Sequence, residues 1–181
     1  MVAIILGGYL ALALLVNLLL GCGFDWSTTF SEAAKERAPL IDGIHSYQSI
    51  KEVRESLRGA YASWYGPEAY GEEKWESARK PPFRVQWVSL LDYSHVGFSG
   101  ELTLWFYNNR LAETRFTAGN FGAFVEALAK QLPGLVTDKK EDRIAPYARV
   151  SVSKESGVFV GWQDARLAKE GSLWTCLYSS D

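Results

Sequence analysis

Two cysteines and two histidines are all the soft or imidazole chemistry the chain carries, so each can be judged by its spacing. Neither His45 nor His95 stands in a His-x-x-x-His pair or beside paired cysteines, the spacings that let one element offer two ligands to a metal. No metal site is expected. Asp92-Tyr93-Ser94-His95 lines up an acid, two hydroxyls and an imidazole, but the members of a hydrolytic triad converge from separate elements. Four neighbours at the end of a strand read as a turn. Cys176 and His95 contain the ingredients of a thiolate pair, yet a lone cysteine among Leu173, Trp174, Leu177 and Tyr178 reads as a small core residue with a buried thiol. Gly97-Phe98-Ser99-Gly100 lacks the length and the lysine of a phosphate loop and reads as a hairpin turn. No catalytic residue and no cofactor is assigned, and the chain is expected not to be an enzyme.

Cys22 differs, because of what precedes it. Val2 to Leu20 contains no charged side chain, and the apolar sequence gives way at Cys22 to Gly23, Asp25, Ser27 and Thr28. Leu19-Leu20-Gly21-Cys22 resembles the lipobox of a bacterial lipoprotein precursor. The resemblance implies a diacylglycerol on the Cys22 thiol, cleavage between Gly21 and Cys22, and acylation of the new amine. Residues 1–21 are then a signal peptide, and several acyl chains on one residue give durable attachment where one chain binds only marginally. The segment has no basic residue before its apolar run, unlike an ordinary secretory signal. About twenty apolar residues also suffice to span a bilayer, so an uncleaved N-terminal membrane anchor is the alternative. Gly23 rather than Asp after the cysteine favours, by resemblance to enterobacterial lipoproteins, the outer membrane facing the periplasm over the inner membrane. If Cys22 is acylated, Cys176 has no partner within the chain.

The first twenty-one residues hold no Asp, Glu, Lys or Arg, so the formal net charge of −2 belongs to the remainder. That balance offers no basic footprint for nucleic acid. What is left is one domain long, enough to bury roughly two thirds of its unfolded surface without metals or disulfides.

Thr29-Phe30-Ser31-Glu32 reads as a capping box on a short polar helix that Pro39 ends, so 22–39 is expected to be a lipidated tether and 40–181 a single domain. Ser49-Ile50-Lys51-Glu52 is a second capping box, with Ile50, Val53 and Leu57 on one helical face before Gly59. Tyr61 to Pro82 reads as an extended or weakly helical surface excursion. From Phe83 the period changes to two. Strands are expected over Phe83 to Leu91, Glu101 to Tyr107 and Leu111 to Thr117, the last two joined by Asn108-Asn109, which tolerate the positive φ of a tight hairpin. Asn120 caps a helix whose Phe121, Phe124, Val125, Leu128 and Leu132 form one stripe, stopped by Pro133-Gly134. Asp138 to Arg143 is a charged loop. Further strands are expected over Tyr147 to Ser153, Val158 to Trp162 and Leu173 to Tyr178, with Glu155-Ser156-Gly157 as a turn.

The expected fold is therefore α+β: antiparallel sheet of about six strands covered by two helices, divisible into two helix-plus-three-strand halves. Arg110-Leu111-Ala112 and Arg166-Leu167-Ala168 sit at comparable places in those halves. Gly43-Ile44-His45-Ser46 before a capped helix, followed by a meander containing Glu101 to Phe106, is similar to small outer-membrane assembly lipoproteins of the SmpA/OmlA type, which bind partner proteins or lipid. Aromatic residues supply the remaining clue. Tyr61, Trp64, Tyr65, Tyr70 and Trp75 crowd the excursion, while Trp105 and Tyr107 lie out of phase with Leu102, Leu104 and Phe106. They form the candidate binding surface for an envelope protein, or else a second core beneath the excursion.

Overall fold

The computed structural model describes residues 36–57, 70–77, 80–132, 135, 142–153 and 158–178; for 70–77, 80–83, 142 and 177–178 it describes the backbone. The N-terminal apolar segment, Gly21, Cys22, the Thr29 capping box, Tyr61, Trp64, Tyr65 and the Glu155 turn lie outside the described residues. The chain divides into two compact units, one spanning Glu32–Ala168 and the other including Lys169–Asp181.

Helix α1, Ile50–Ser56, begins as its sequence requires. Ser49 Oγ accepts from Glu52 N, and the Glu52 carboxylate accepts from Ser49 N at 2.7 Å, closing the capping box. Val53 and Leu57 are buried on its inner face. Seven strands follow: β1 Tyr70–Ser77, β2 Lys80–His95, β3 Phe98–Tyr107, β4 Arg110–Ala118, β5 Asp142–Ala145, β6 Ala148–Ser153 and β7 Phe159–Asp164. Helix α2, Phe121–Gln131, separates β4 from β5, and α3, Ala165–Tyr178, follows β7. Among the described residues, one sheet contains all seven strands in the order β1-β2-β3-β4-β7-β6-β5, every pair antiparallel. The α+β reading holds.

Turn chemistry sets the meander. Asn108 and Asn109 both have positive φ, 49° and 59°, and close a two-residue hairpin between the paired Tyr107 and Arg110. The β2–β3 turn is Val96-Gly97, also at positive φ, so Ser99 and Gly100 lie within β3 rather than in the expected turn. A side chain on Gly100 would run into the Thr117 carbonyl and the Phe116 ring, which fixes glycine where β3 and β4 approach most closely.

The core occupies one face of the sheet. Val88, Leu90, Leu102, Leu104, Phe106, Phe116, Val150, Val160 and Trp162 supply it from five strands, and Val53, Leu57, Phe124, Val125 and Leu128 cover it from α1 and α2. Asn120 caps α2 as expected, accepting from Ala123 N, and Phe124 meets Phe116 edge-on at 5.0 Å.

Four expectations fail for physical reasons. Tyr70–Ser77 is not a loose excursion but edge strand β1, and Asp142 and Arg143 of the expected charged loop belong to edge strand β5. Edge strands need no apolar alternation, and Gly-Glu-Glu-Lys shows none. Leu173–Tyr178 is the end of α3 rather than a strand. Asp164 accepts from the amides of Arg166 and Leu167 and starts the helix there. Finally, Arg110-Leu111-Ala112 opens a strand whereas Arg166-Leu167-Ala168 lies on α3, so those triplets do not mark equivalent places.

Candidate functional site

The face opposite the core carries the rings that the alternation in β3 sets apart. Trp87 of β2 pairs with Trp105 of β3, and their rings stack with centroids 5.5 Å apart. The Arg115 guanidinium of β4 lies 4.9 Å from the Trp105 ring and 4.8 Å from the Phe159 ring of β7. A ring–ring–cation–ring row thus crosses four adjacent strands, each contact of a kind that contributes about 0.5–1.5 kcal/mol beyond simple burial. All four members are half-buried, as is Tyr107.

Arg115 is fixed by more than rings. Glu113 accepts from its Nε and, at 3.2 Å, from its Nη2, a two-pronged arrangement on a carboxylate that is itself buried. Gln163 donates to the same carboxylate. Glu113 reaches this face through a bulge: Phe106 pairs with Leu111 but Trp105 with Glu113, so Leu111 and Ala112 share one step of the ladder. Burial, with the nearby Glu113 charge, pushes the Tyr107 phenol up. Trp105 Nε1 is buried without a hydrogen-bond partner.

Of the candidate binding residues, the structure therefore joins Trp105 and Tyr107 on one face of β3. Tyr70 and Trp75 both lie on β1, opposite Val88 and Phe83 in register, and Tyr61, Trp64 and Tyr65 are outside the described residues. Spacing in the sequence does not single out Trp87, Glu113, Arg115 and Phe159. Trp87 had a visible signal, since it shares a parity with Val85 rather than with the core residues Val88 and Leu90.

A second polar cluster lies on the core side. Leu90 pairs with Leu102 but Tyr93 with Gly100, so β2 carries one extra residue between them. This bulge, with Asp92 at φ 59°, exposes Leu91 and Asp92 and turns Tyr93 and His95 inward. Their acid partner is Asp42, not Asp92. Tyr93 donates its hydroxyl to Asp42 Oδ2 at 2.7 Å, and His95 Nδ1 lies 2.9 Å from Oδ1. A carboxylate only accepts, so Nδ1 carries the proton of that bond. Burial alone would raise the Asp42 carboxyl; the bonds from His95 and Tyr93 and the His95 charge outweigh it and hold it below the usual range. The imidazole is enclosed by Phe116, Phe124 and Trp162 at 5.4–5.8 Å, and its Nε2 has no hydrogen-bond partner. This is a buried pair in an aromatic box.

A third cluster surrounds Asp164, which is wholly buried. It pairs with Arg166 through both oxygens, at 2.7 and 3.1 Å, and accepts from Ser46 Oγ at 2.7 Å. Arg166 also donates to the Glu36 carbonyl and lies over Tyr147 at 3.9 Å and Tyr47 at 5.2 Å, both tyrosines being at positive φ. Burial would lower the Arg166 pKa, but Asp164 raises it above its ordinary value. Satisfied from all sides, the cluster is a joint of the fold.

Cys176 is not the buried thiol its neighbours suggested. It is exposed on α3 and disulfide-bonded. The sequence holds one other cysteine, Cys22.

Among the described residues no group of His, Cys, Asp and Glu is arranged to hold a metal, and no helix is long and apolar enough to cross a membrane. No protein-family model matches the chain, and comparison with curated proteins finds no match.

Proposed function

We propose that the chain is a lipid-anchored cell-envelope protein whose domain binds another envelope component, with Cys22 the acylated residue and Gly21-Cys22 the processed bond. Leu19-Leu20-Gly21-Cys22 at the edge of an uncharged apolar stretch supports the anchor. Gly23 favours the outer membrane with the domain facing the periplasm. The row of Trp87, Trp105, Arg115 and Phe159 across the sheet face away from the core carries the binding half. Aromatic rings and arginine are the residue types that dominate interface energies, because they present large area at small entropic cost. Trp105 is held between Trp87 and Arg115, so it acts as the scaffold of the row and Trp87 as its outer member. The experiment is recovery of partners from mild detergent extracts with Trp87→Ala and Trp105→Ala. Trp87→Ala is expected to lose partner recovery while keeping most of its stability, and Trp105→Ala to unfold more easily by about 3 kcal/mol. Undiminished recovery by a folded Trp87→Ala protein would remove this face from the binding reading.

One observation favours a second reading, an uncleaved N-terminal membrane helix. A thioether to diacylglycerol and a disulfide each require the Cys22 sulfur, and one sulfur cannot form both. The disulfide at Cys176 is compatible with an intrachain partner only if Cys22 is unacylated. Under the lipoprotein reading the sulfur bonded to Cys176 is not that of Cys22.

A further inference from the structure

Residues 38–46 form a strap whose backbone bonds close upon themselves. Leu40 N donates to Ile44 O, Ile44 N to Ile41 O and Ser46 N to Ala38 O, while Pro39 and His45 form an isolated bridge. Asp42 and Gly43, both at positive φ, make its tip. The first backbone bonds to the sheet come just after it, where Tyr47 N donates to Leu111 O and Leu111 N to Gln48 O. The strap is nevertheless deeply embedded. Ala38, Leu40, Ile41 and Ile44 are buried in the core. Two polar fastenings hold its ends: Asp42 at the tip with Tyr93 and His95, and Ser46 at the base, whose hydroxyl donates to Asp164 and accepts from Ala38 N.

We propose that residues 38–46 are a latch that opens as a unit, released at the Asp42 tip, while the sheet stays folded. The reason is the division of its bonds. A segment that shares no ladder bonds with its neighbours can lift without unzipping them, at the cost of its side-chain burial and its fastenings. Lifting separates Asp42 from the His95 imidazole and the Tyr93 hydroxyl, so it opens the aromatic box from one side. Glu36, two residues before the strap, is tied by its carbonyl to Arg166.

Native-state hydrogen exchange on the full chain, across low concentrations of denaturant, tests this. The amides of Leu40, Ile44 and Ser46 are expected to exchange faster than those of Leu102 and Leu104 and with a weaker denaturant dependence, the mark of an opening smaller than global unfolding. Asp42→Asn is expected to speed strap exchange by about tenfold, the effect of weakening hydrogen bonds to a charged acceptor. Tyr93→Phe, which removes one hydroxyl and leaves the ring, serves if Asp42→Asn fails to fold, with an increase in the same direction. Strap and sheet amides that share one rate and one denaturant slope would overturn the proposal. So would strap exchange unmoved by both substitutions.

Discussion

At the scale of single residues, the chain places two of its acids, Glu52 and Asp42, where neighbours hold them ionised. Glu52 is brought down to about 2, chiefly by the Ser49 amide and hydroxyl and then by Arg37, and Asp42 is lowered by His95 and Tyr93 against its own burial. Both carboxyls bind protons more weakly folded than unfolded. Their contribution is therefore complete above the ordinary carboxylate range, near pH 4, and is lost as pH falls through the lowered folded values. For Asp42, the loss is expected to be about 1 kcal/mol, at the low end for charged hydrogen bonds because the carboxylate is partly exposed. Denaturation midpoints of the wild type and Asp42→Asn measured from pH 7 to pH 2 check this: the two curves should lie apart at pH 7 and converge below pH 4. Parallel curves would mean that Asp42 is not the group responsible. The inward turn of Tyr93 and His95 was not legible in the sequence. Asp92-Tyr93-Ser94-His95 shows the ingredients, but a single inserted residue decides which of them face the core, and bulges carry no composition signal strong enough to locate one.

At the scale of elements, what could be read depended on whether burial enforced a pattern. Helix α2 and strand β3 were evident because one face of each is apolar, β4 because Asn108-Asn109 and the alternation ending in Phe116 mark it despite the buried Thr114, and α1 because its capping box is complete. The edge strands β1 and β5 escaped because one side of each pairs and the other does not, leaving little apolar periodicity to detect. The C-terminal Leu173 to Tyr178 misled for the opposite reason: aromatic and apolar residues in quick succession satisfy strand and helix alike, and only the Asp164 cap decides between them. Close approach of β3 to β4 gives a direct test of the register. Gly100→Ala is expected to destabilise by about 1–3 kcal/mol, because the added methyl meets the Thr117 backbone and the Phe116 ring rather than the end of a flexible side chain. An unchanged urea midpoint would show that the Gly100–Ala118 pairing is wrong.

At the scale of the whole molecule, the sheet separates two kinds of surface. One face is closed by α1, α2 and the strap into a continuous core; the other carries the row of rings and the Arg115–Glu113 pair. Alternation in β3 made the second face legible at Trp105 and Tyr107, but the members contributed by β2, β4 and β7 emerge only once register places Trp87 beside Trp105 and Arg115 opposite Gly161. The proposed anchor rests on a local motif, Leu19-Leu20-Gly21-Cys22, whereas the proposed binding face is assembled from distant strands. The sulfur of Cys22 decides between the two readings of that anchor, since lipid and disulfide exclude each other there. Metabolic labelling with a palmitate analogue, comparing wild type with Cys22→Ser, reads that sulfur directly. The lipoprotein account predicts a labelled wild-type protein shortened by the first twenty-one residues, and no label on Cys22→Ser. A full-length, unlabelled wild-type chain whose Cys176 reacts with thiol reagents only after reduction would contradict it.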